Sequence, residues 1–100
     1  MIKHIVMWRL KDVACGNDRK TNAYLIKEKL LALQGRIPGM IAIEAGVDFS
    51  CSGSSCDVAL YSQFVDRKAL AEYQVHPEHE NVKSFIGEVS EERRIVDYEV

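Results

Sequence analysis

The side chains suited to proton transfer in this 100-residue chain are few: three histidines, His4, His76 and His79, and a tyrosine, Tyr73, near two of them in sequence. Imidazole changes charge closest to neutral pH, so it can act as either acid or base. His4 shares a strand face with Ile2, Val6 and Trp8. Among such neighbours an imidazole must find a hydrogen-bond partner or give up its charge. It therefore reads either as a neutral core histidine with one hydrogen bond or as a general base tuned by burial. His79 reads as its acid/base partner, or else as a surface residue of a first helical turn. His76, just before Pro77, suits a helix cap and is also a candidate ligand contact. The Tyr73 phenol could donate to a developing oxyanion or orient a carbonyl, and it equally suits a core aromatic with a wet tip. Trp8 is the natural apolar wall for a ligand beside His4.

Other chemistries lack their residues. Gly35-Arg36-Ile37-Pro38-Gly39 has no Lys-Ser/Thr ending, so it is not a phosphate loop, and there is no G-x-S-x-G elbow. Cys51, Cys56, His76 and His79 are the right types for zinc, but the gap between the pairs is too wide and the histidines too close. No metal is assigned. Cys15, Cys51 and Cys56 are an odd count with no secretory pattern at the N-terminus, which points to free thiols in a reducing cytoplasm.

The elements that must position these groups follow from periodicity. Residues 2–11 read as a strand, with Ile2, His4, Val6, Trp8 and Leu10 on one face and Ile5 and Met7 on the other. Asp12 to Asp18 is a turn region around Gly16 and Asn17. A helix runs from Asp18 or Arg19 to Leu33 or Gln34, with Ala23, Ile26, Leu30 and Leu33 as its stripe and Tyr24 and Leu31 widening it. Ile37-Pro38-Gly39 is a turn. A second strand covers 40–49, with Ile41, Ile43, Ala45, Val47 and Phe49 alternating with smaller or polar residues. The Ser/Cys-rich stretch 50–56 is a flexible hairpin loop, and 57–65 is the third strand. Asp66 caps a short helix carrying Leu70 and Tyr73. Pro77 opens another, with Val82, Phe85, Ile86 and Val89 inward. Glu91-Glu92-Arg93-Arg94 reads as a solvated charge run, and Arg94 to Val100 as the closing strand.

This order is an α+β fold, the ferredoxin-like β-α-β-β-α-β arrangement: a four-stranded antiparallel sheet with helices on one face. Composition agrees with one globular domain: 47% apolar, 28% charged, net charge −2. The balanced charge excludes a nucleic-acid-binding stripe, and no apolar run is long enough to span a membrane. The first strand is apolar on both sides, and a chain this short has nothing left to cover the second face. A second copy is the simplest cover. Two sheets face to face form an eight-stranded barrel, so a homodimer is expected.

Four segments in order carry a resemblance: Lys3-His4-Ile5-Val6-Met7-Trp8, Ile37-Pro38-Gly39, Tyr73-x-x-His76-Pro77-x-His79 and Val96-Asp97-Tyr98. Together they resemble the stress-responsive α/β-barrel domain (Dabb) family of dimeric α/β barrels, over nearly the whole chain. The resemblance implies a homodimeric ferredoxin-like fold. One plant branch closes linear polyketides by aldol condensation without a cofactor, using a strand-1 histidine, a tyrosine and the later histidine of H-P-x-H. On this chain those are His4, Tyr73 and His79. Some plant members also hold magnesium through main-chain carbonyls, here at Gln34, Ile37 and Met40, which leave no side-chain signature.

The expectation is thus a homodimeric barrel protein that binds a small apolar or aromatic molecule between sheet and helices. If it turns over, the chemistry is acid/base work beside a carbonyl, with no cofactor. Two alternatives stay open: a stress-associated structural dimer whose barrel is filled by its own side chains, and, on fold analogy alone, a cofactor-free monooxygenase.

Overall fold

A computed structural model describes residues 1–100. The elements in order are β1 (Ile2–Leu10), β2 (Val13–Ala14), β3 (Asn17–Asp18), α1 (Arg19–Leu31), β4 (Met40–Val47), β5 (Val58–Phe64), α2 (Arg67–Gln74), α3 (Pro77–Val89) and β6 (Ser90–Glu99). The four long strands form one antiparallel sheet in the order β4-β5-β1-β6. The helices cover one face, as the ferredoxin-like order requires. No helix is long and apolar enough to cross a membrane.

Alternation along β1 decides what each face does. Ile2, His4, Val6, Trp8 and Leu10 are buried under the helices, while Met7 is 42% exposed on the other face. Register puts Phe64, Ser62, Leu60 and Val58 of β5 beside the buried set. The same register puts Val96 and Tyr98 of β6 on the open face beside Ile5 and Lys3, half-exposed.

Local chemistry sets the helix starts. Asp18 accepts the Thr21 amide at 2.8 Å, Asp66 accepts that of Ala69 at 2.8 Å, and His76 Nδ1 accepts that of Glu78 at 3.1 Å. Each fills one donor that a first helical turn leaves unpaired. Pro77 takes the first helical position, where its missing N–H costs nothing.

Several sequence expectations are corrected. The turn region 12–18 contains the small hairpin β2–β3. Its two central residues, Cys15 and Gly16, both have positive φ, the type I′ requirement. Helix α1 ends at Leu31. Tyr24 and Leu31 do not widen its buried stripe. Asn22, fully buried, takes a place instead, because its Nδ2 donates to the Ala14 carbonyl at 3.0 Å and ties the hairpin to the helix. A register shift between Met40 and Ala42 turns Ile41 outward, and β4 stops before Phe49, which is 96% exposed. The run Glu91–Arg94 is part of β6 and does not precede it. Strand follows helix without a loop, and an edge strand tolerates charges on its exposed positions.

Gly39 has φ +80°, and a Cβ there would lie 2.6 Å from the Cβ of Ala69. Only glycine lets the start of β4 pass this close to α2.

Candidate functional site

His4 sits mid-strand on β1, between Ser62 of β5 and Asp97 of β6. Its Nδ1 is hydrogen-bonded to an Asp97 carboxylate oxygen. The imidazole is sealed, with 3% of its side chain exposed, whereas Asp97, on the edge strand, keeps 36%. The carboxylate therefore retains water contact while it fixes the ring. A hydrogen on Nδ1 held by Asp97 leaves Nε2 with its lone pair free, the tautomer a general base needs. Ser62, fully buried, donates to the His4 carbonyl at 3.3 Å.

His79 lies in the first turn of α3 and Tyr73 in the last turn of α2. The Tyr73 ring is 4.1 Å from that of His79, 5.1 Å from Phe64 and 6.1 Å, edge-on, from His4, measured between centroids. The Tyr73 ring is thus a neighbour of both imidazoles. Burial pushes its phenol up to about 12, against the opposing charge of Arg93. Burial also holds His79 below the ordinary histidine range, with Lys83 and His4 adding to that and the nearby Gln74 carbonyl and Glu80 opposing it. The Gln74 carbonyl does not complete a hydrogen bond. The Tyr73 hydroxyl and His79 Nδ1 are both buried without a partner in the protein.

Between the helices and this face of the sheet lies a cavity of about 460 Å³, walled by His4, Val6, Trp8, Leu60, His79 and Ile86. Its volume is within the usual range for small-molecule sites. The structure brings His4, Trp8 and His79 to one cavity. Tyr73 stands behind them and is not on the wall. His76, expected as a ligand contact, is absent from the wall because its ring nitrogen caps α3. The cavity is on the helix side of the sheet, not on the open face that a barrel would enclose. A larger hollow of about 670 Å³ lies between α1 and the 48–57 loop. There Arg9, Arg19 and Lys20 face Asp48, Asp57 and Glu91, and it contains no histidine.

Asp97 was missed as a site residue. Period two on the closing strand already puts it opposite Val96 and Tyr98, but its pairing with His4 needs the β1–β6 register. Arg93 was missed for the same reason, and Lys83 because its place at the cavity depends on how α3 packs on the sheet.

No cluster of three or more His, Cys, Asp or Glu side chains is positioned to hold a metal. Of the three carbonyls the resemblance suggests for magnesium, that of Ile37 accepts the Met40 amide at 3.3 Å. No chemical step below runs through a metal.

A helix-covered antiparallel sheet with one bare face is the ferredoxin-like layer from which dimeric α/β barrels are built, and here a histidine–carboxylate pair lies under its helices beside a cavity. The chain belongs to the stress responsive A/B barrel domain (Dabb) family, which it matches over residues 2–100. It is similar to a dimeric protein of unknown function and ferredoxin-like fold from Bacteroides fragilis NCTC 9343. The two are 32% identical, with 99% of this chain and 95% of that chain covered and a TM-score of 0.87. A dimeric ferredoxin-like protein of unknown function from Thermobifida fusca is 21% identical, with coverage of 99% and 90% and a TM-score of 0.84. The hydroxynitrile lyase of Passiflora edulis is 18% identical, with coverage of 97% and 90% and a TM-score of 0.77. At those last two identities the likeness is one of fold. No curated protein matches the sequence.

Proposed function

We propose that the protein is a homodimeric barrel whose helix-side cavity binds a small apolar or aromatic carbonyl compound and moves a proton at the carbon next to that carbonyl, without a cofactor. The observation that carries this reading is the His4–Asp97 pair at a cavity that also presents His79. His4 Nε2 takes the carbon-bound proton, and Asp97 steadies the imidazolium that forms. His79, held neutral by burial, hydrogen-bonds the enolate oxygen through its ring N–H, and the proton taken by His4 returns to carbon or leaves to solvent. Tyr73, packed against His79 and edge-on to His4, acts as a positioning residue. Its expected donation to the oxyanion would need a ligand oxygen to reach a hydroxyl that lies behind the wall.

The homodimer is supported by the open face and by the dimeric Bacteroides fragilis relative. Ile5, Met7, Val96 and Tyr98 form an apolar band there that a second sheet would cover. Because the cavity is on the opposite side of the sheet, a barrel packed solid with its own side chains would leave it open. All three cysteines are unpaired, which suits a reducing, cytoplasmic setting. The name of the Passiflora edulis relative attaches lyase chemistry to this fold in that protein. Here the reading rests on the site.

The test is exchange of the α-protons of phenylacetone into deuterated buffer, followed by NMR. The wild type should accelerate exchange over buffer and His4→Gln should not. No acceleration by the wild type across a panel of aryl and alkyl ketones would overturn the catalytic reading.

A further inference from the structure

The cavity has a charge asymmetry that the proton-transfer chemistry does not use. Besides the two histidines, its ionisable lining residues are Lys83 and Arg93, and no aspartate or glutamate lies among them. Both cations are exposed, at the mouth, whereas His4 is buried at the floor. Arg94 pairs with Glu92 at 3.2 Å on the open face of β6. Arg93 points to the other face, opposite Trp8, and has no ion-pair partner in the protein. Lys83 meets only Glu80, at 3.7 Å, an exposed pair one turn apart that contributes little.

The walls below this rim are apolar: Val6, Trp8, Leu30, Leu60 and Ile86. An apolar pocket with an unpaired guanidinium and an ammonium at its opening is complementary to an amphiphile with one anionic end. A guanidinium offers two parallel N–H donors that match the two oxygens of a carboxylate.

We infer that the ligand is a small aryl or alkyl carboxylic acid, held with its carboxylate at Arg93 and Lys83 and its body against Trp8 and Leu60. This rests on the cavity being the ligand site, as proposed above. It narrows the substrate class to a keto acid whose carbonyl is remote from the carboxylate, because the cations are at the mouth and His4 is at the floor.

The experiment is isothermal titration of the intact protein with two matched pairs: 2-naphthoate against 2-naphthamide, and 4-phenylbutyrate against 4-phenylbutyramide. Each carboxylate should bind at least about tenfold tighter than its neutral amide at low salt. The gap should shrink as NaCl rises from about 20 mM to about 500 mM. Arg93→Gln combined with Lys83→Gln should bring each acid down to the affinity of its amide in the same variant. Amides that bind as well as the acids would overturn this inference and leave the cavity reading standing. A preference that survives the double substitution would overturn it too, by placing the anion elsewhere. Binding of neither member of either pair would remove both readings together.

Discussion

Asp97 and His4 lie 93 residues apart in sequence and meet side chain to side chain across the β1–β6 ladder. The carboxylate decides which ring nitrogen carries the hydrogen, and so which one is free. Asp97→Asn keeps the shape but can reverse the tautomer. Proton exchange on a ketone substrate should fall about 10²-fold, as expected when a general base loses its proton-holding partner. Adding Asp97→Asn to His4→Gln should cost almost nothing further, because the two act as one unit. Additive losses would separate them.

His79 gives a pH dependence with a definite sign. Its folded pKa is held down by burial, so the unfolded chain takes up the proton first on acidification. Stability from this group is complete above the ordinary histidine value of about 6.5 and declines as pH falls toward the lower folded value. Denaturant midpoints measured from about pH 8 to about pH 5 should show this slope in the wild type. His79→Gln should flatten it.

Tyr73 titrates at the opposite end of the scale. With its phenol pushed up to about 12, the folded state resists ionisation. The stability this confers is whole below the unfolded value of about 10 and is lost as pH climbs through the folded one. Ultraviolet titration of the four tyrosines should resolve one that ionises only near 12. Tyr61, beside Lys3 and Gln63 on the open face, should ionise below the ordinary value.

The unpartnered Tyr73 hydroxyl separates its two expected roles. Removing an unsatisfied buried polar atom is close to neutral or stabilising, so Tyr73→Phe should keep both the fold and most of the proton exchange. Tyr73→Ala should cost about 3–5 kcal/mol through the void it leaves. A loss of exchange of about 10²-fold in Tyr73→Phe would assign the hydroxyl a direct part in the chemistry.

Two glycines should respond in opposite ways. Gly87 lines the cavity on α3, and an added Cβ meets nothing within 4 Å. Gly87→Leu should raise stability by up to about 1 kcal/mol through helix propensity while closing the cavity to ligand. Gly39→Ala meets both a positive φ and the Ala69 side chain. It should destabilise by about 1–3 kcal/mol, read from chemical denaturation.

Much of this molecule is legible in its sequence because the information is local. Period two on β1 separates His4 and Trp8 from Ile5 and Met7, and the caps Asp66 and His76 and the Pro77 start follow from short-range hydrogen bonding. What is not legible depends on register between distant strands. A one-residue bulge sends Ile41 outward against its alternation. Asp97 belongs to the site only because β6 pairs with β1 in one particular alignment, and Arg93 reaches the cavity through that same alignment. Asn22 goes inside because a hairpin folded beside it offers the Ala14 carbonyl, and polarity alone predicts the reverse. The Tyr73 type was readable, but its place behind the wall depends on how α2 and α3 pack together.

Strand β1 carries two unrelated jobs on alternating positions. Even-numbered side chains lie under the helices, His4, Val6 and Trp8 at the cavity, and odd-numbered ones look toward the bare side. The pleat therefore acts as a partition: an odd residue can be redesigned to alter the bare face without entering the cavity, and an even one to reshape the cavity without reaching the bare face. A one-residue slip of β1 against β5 and β6 would exchange the two sets at once. The spacing of this strand from its neighbours should tolerate far less change in length than in composition.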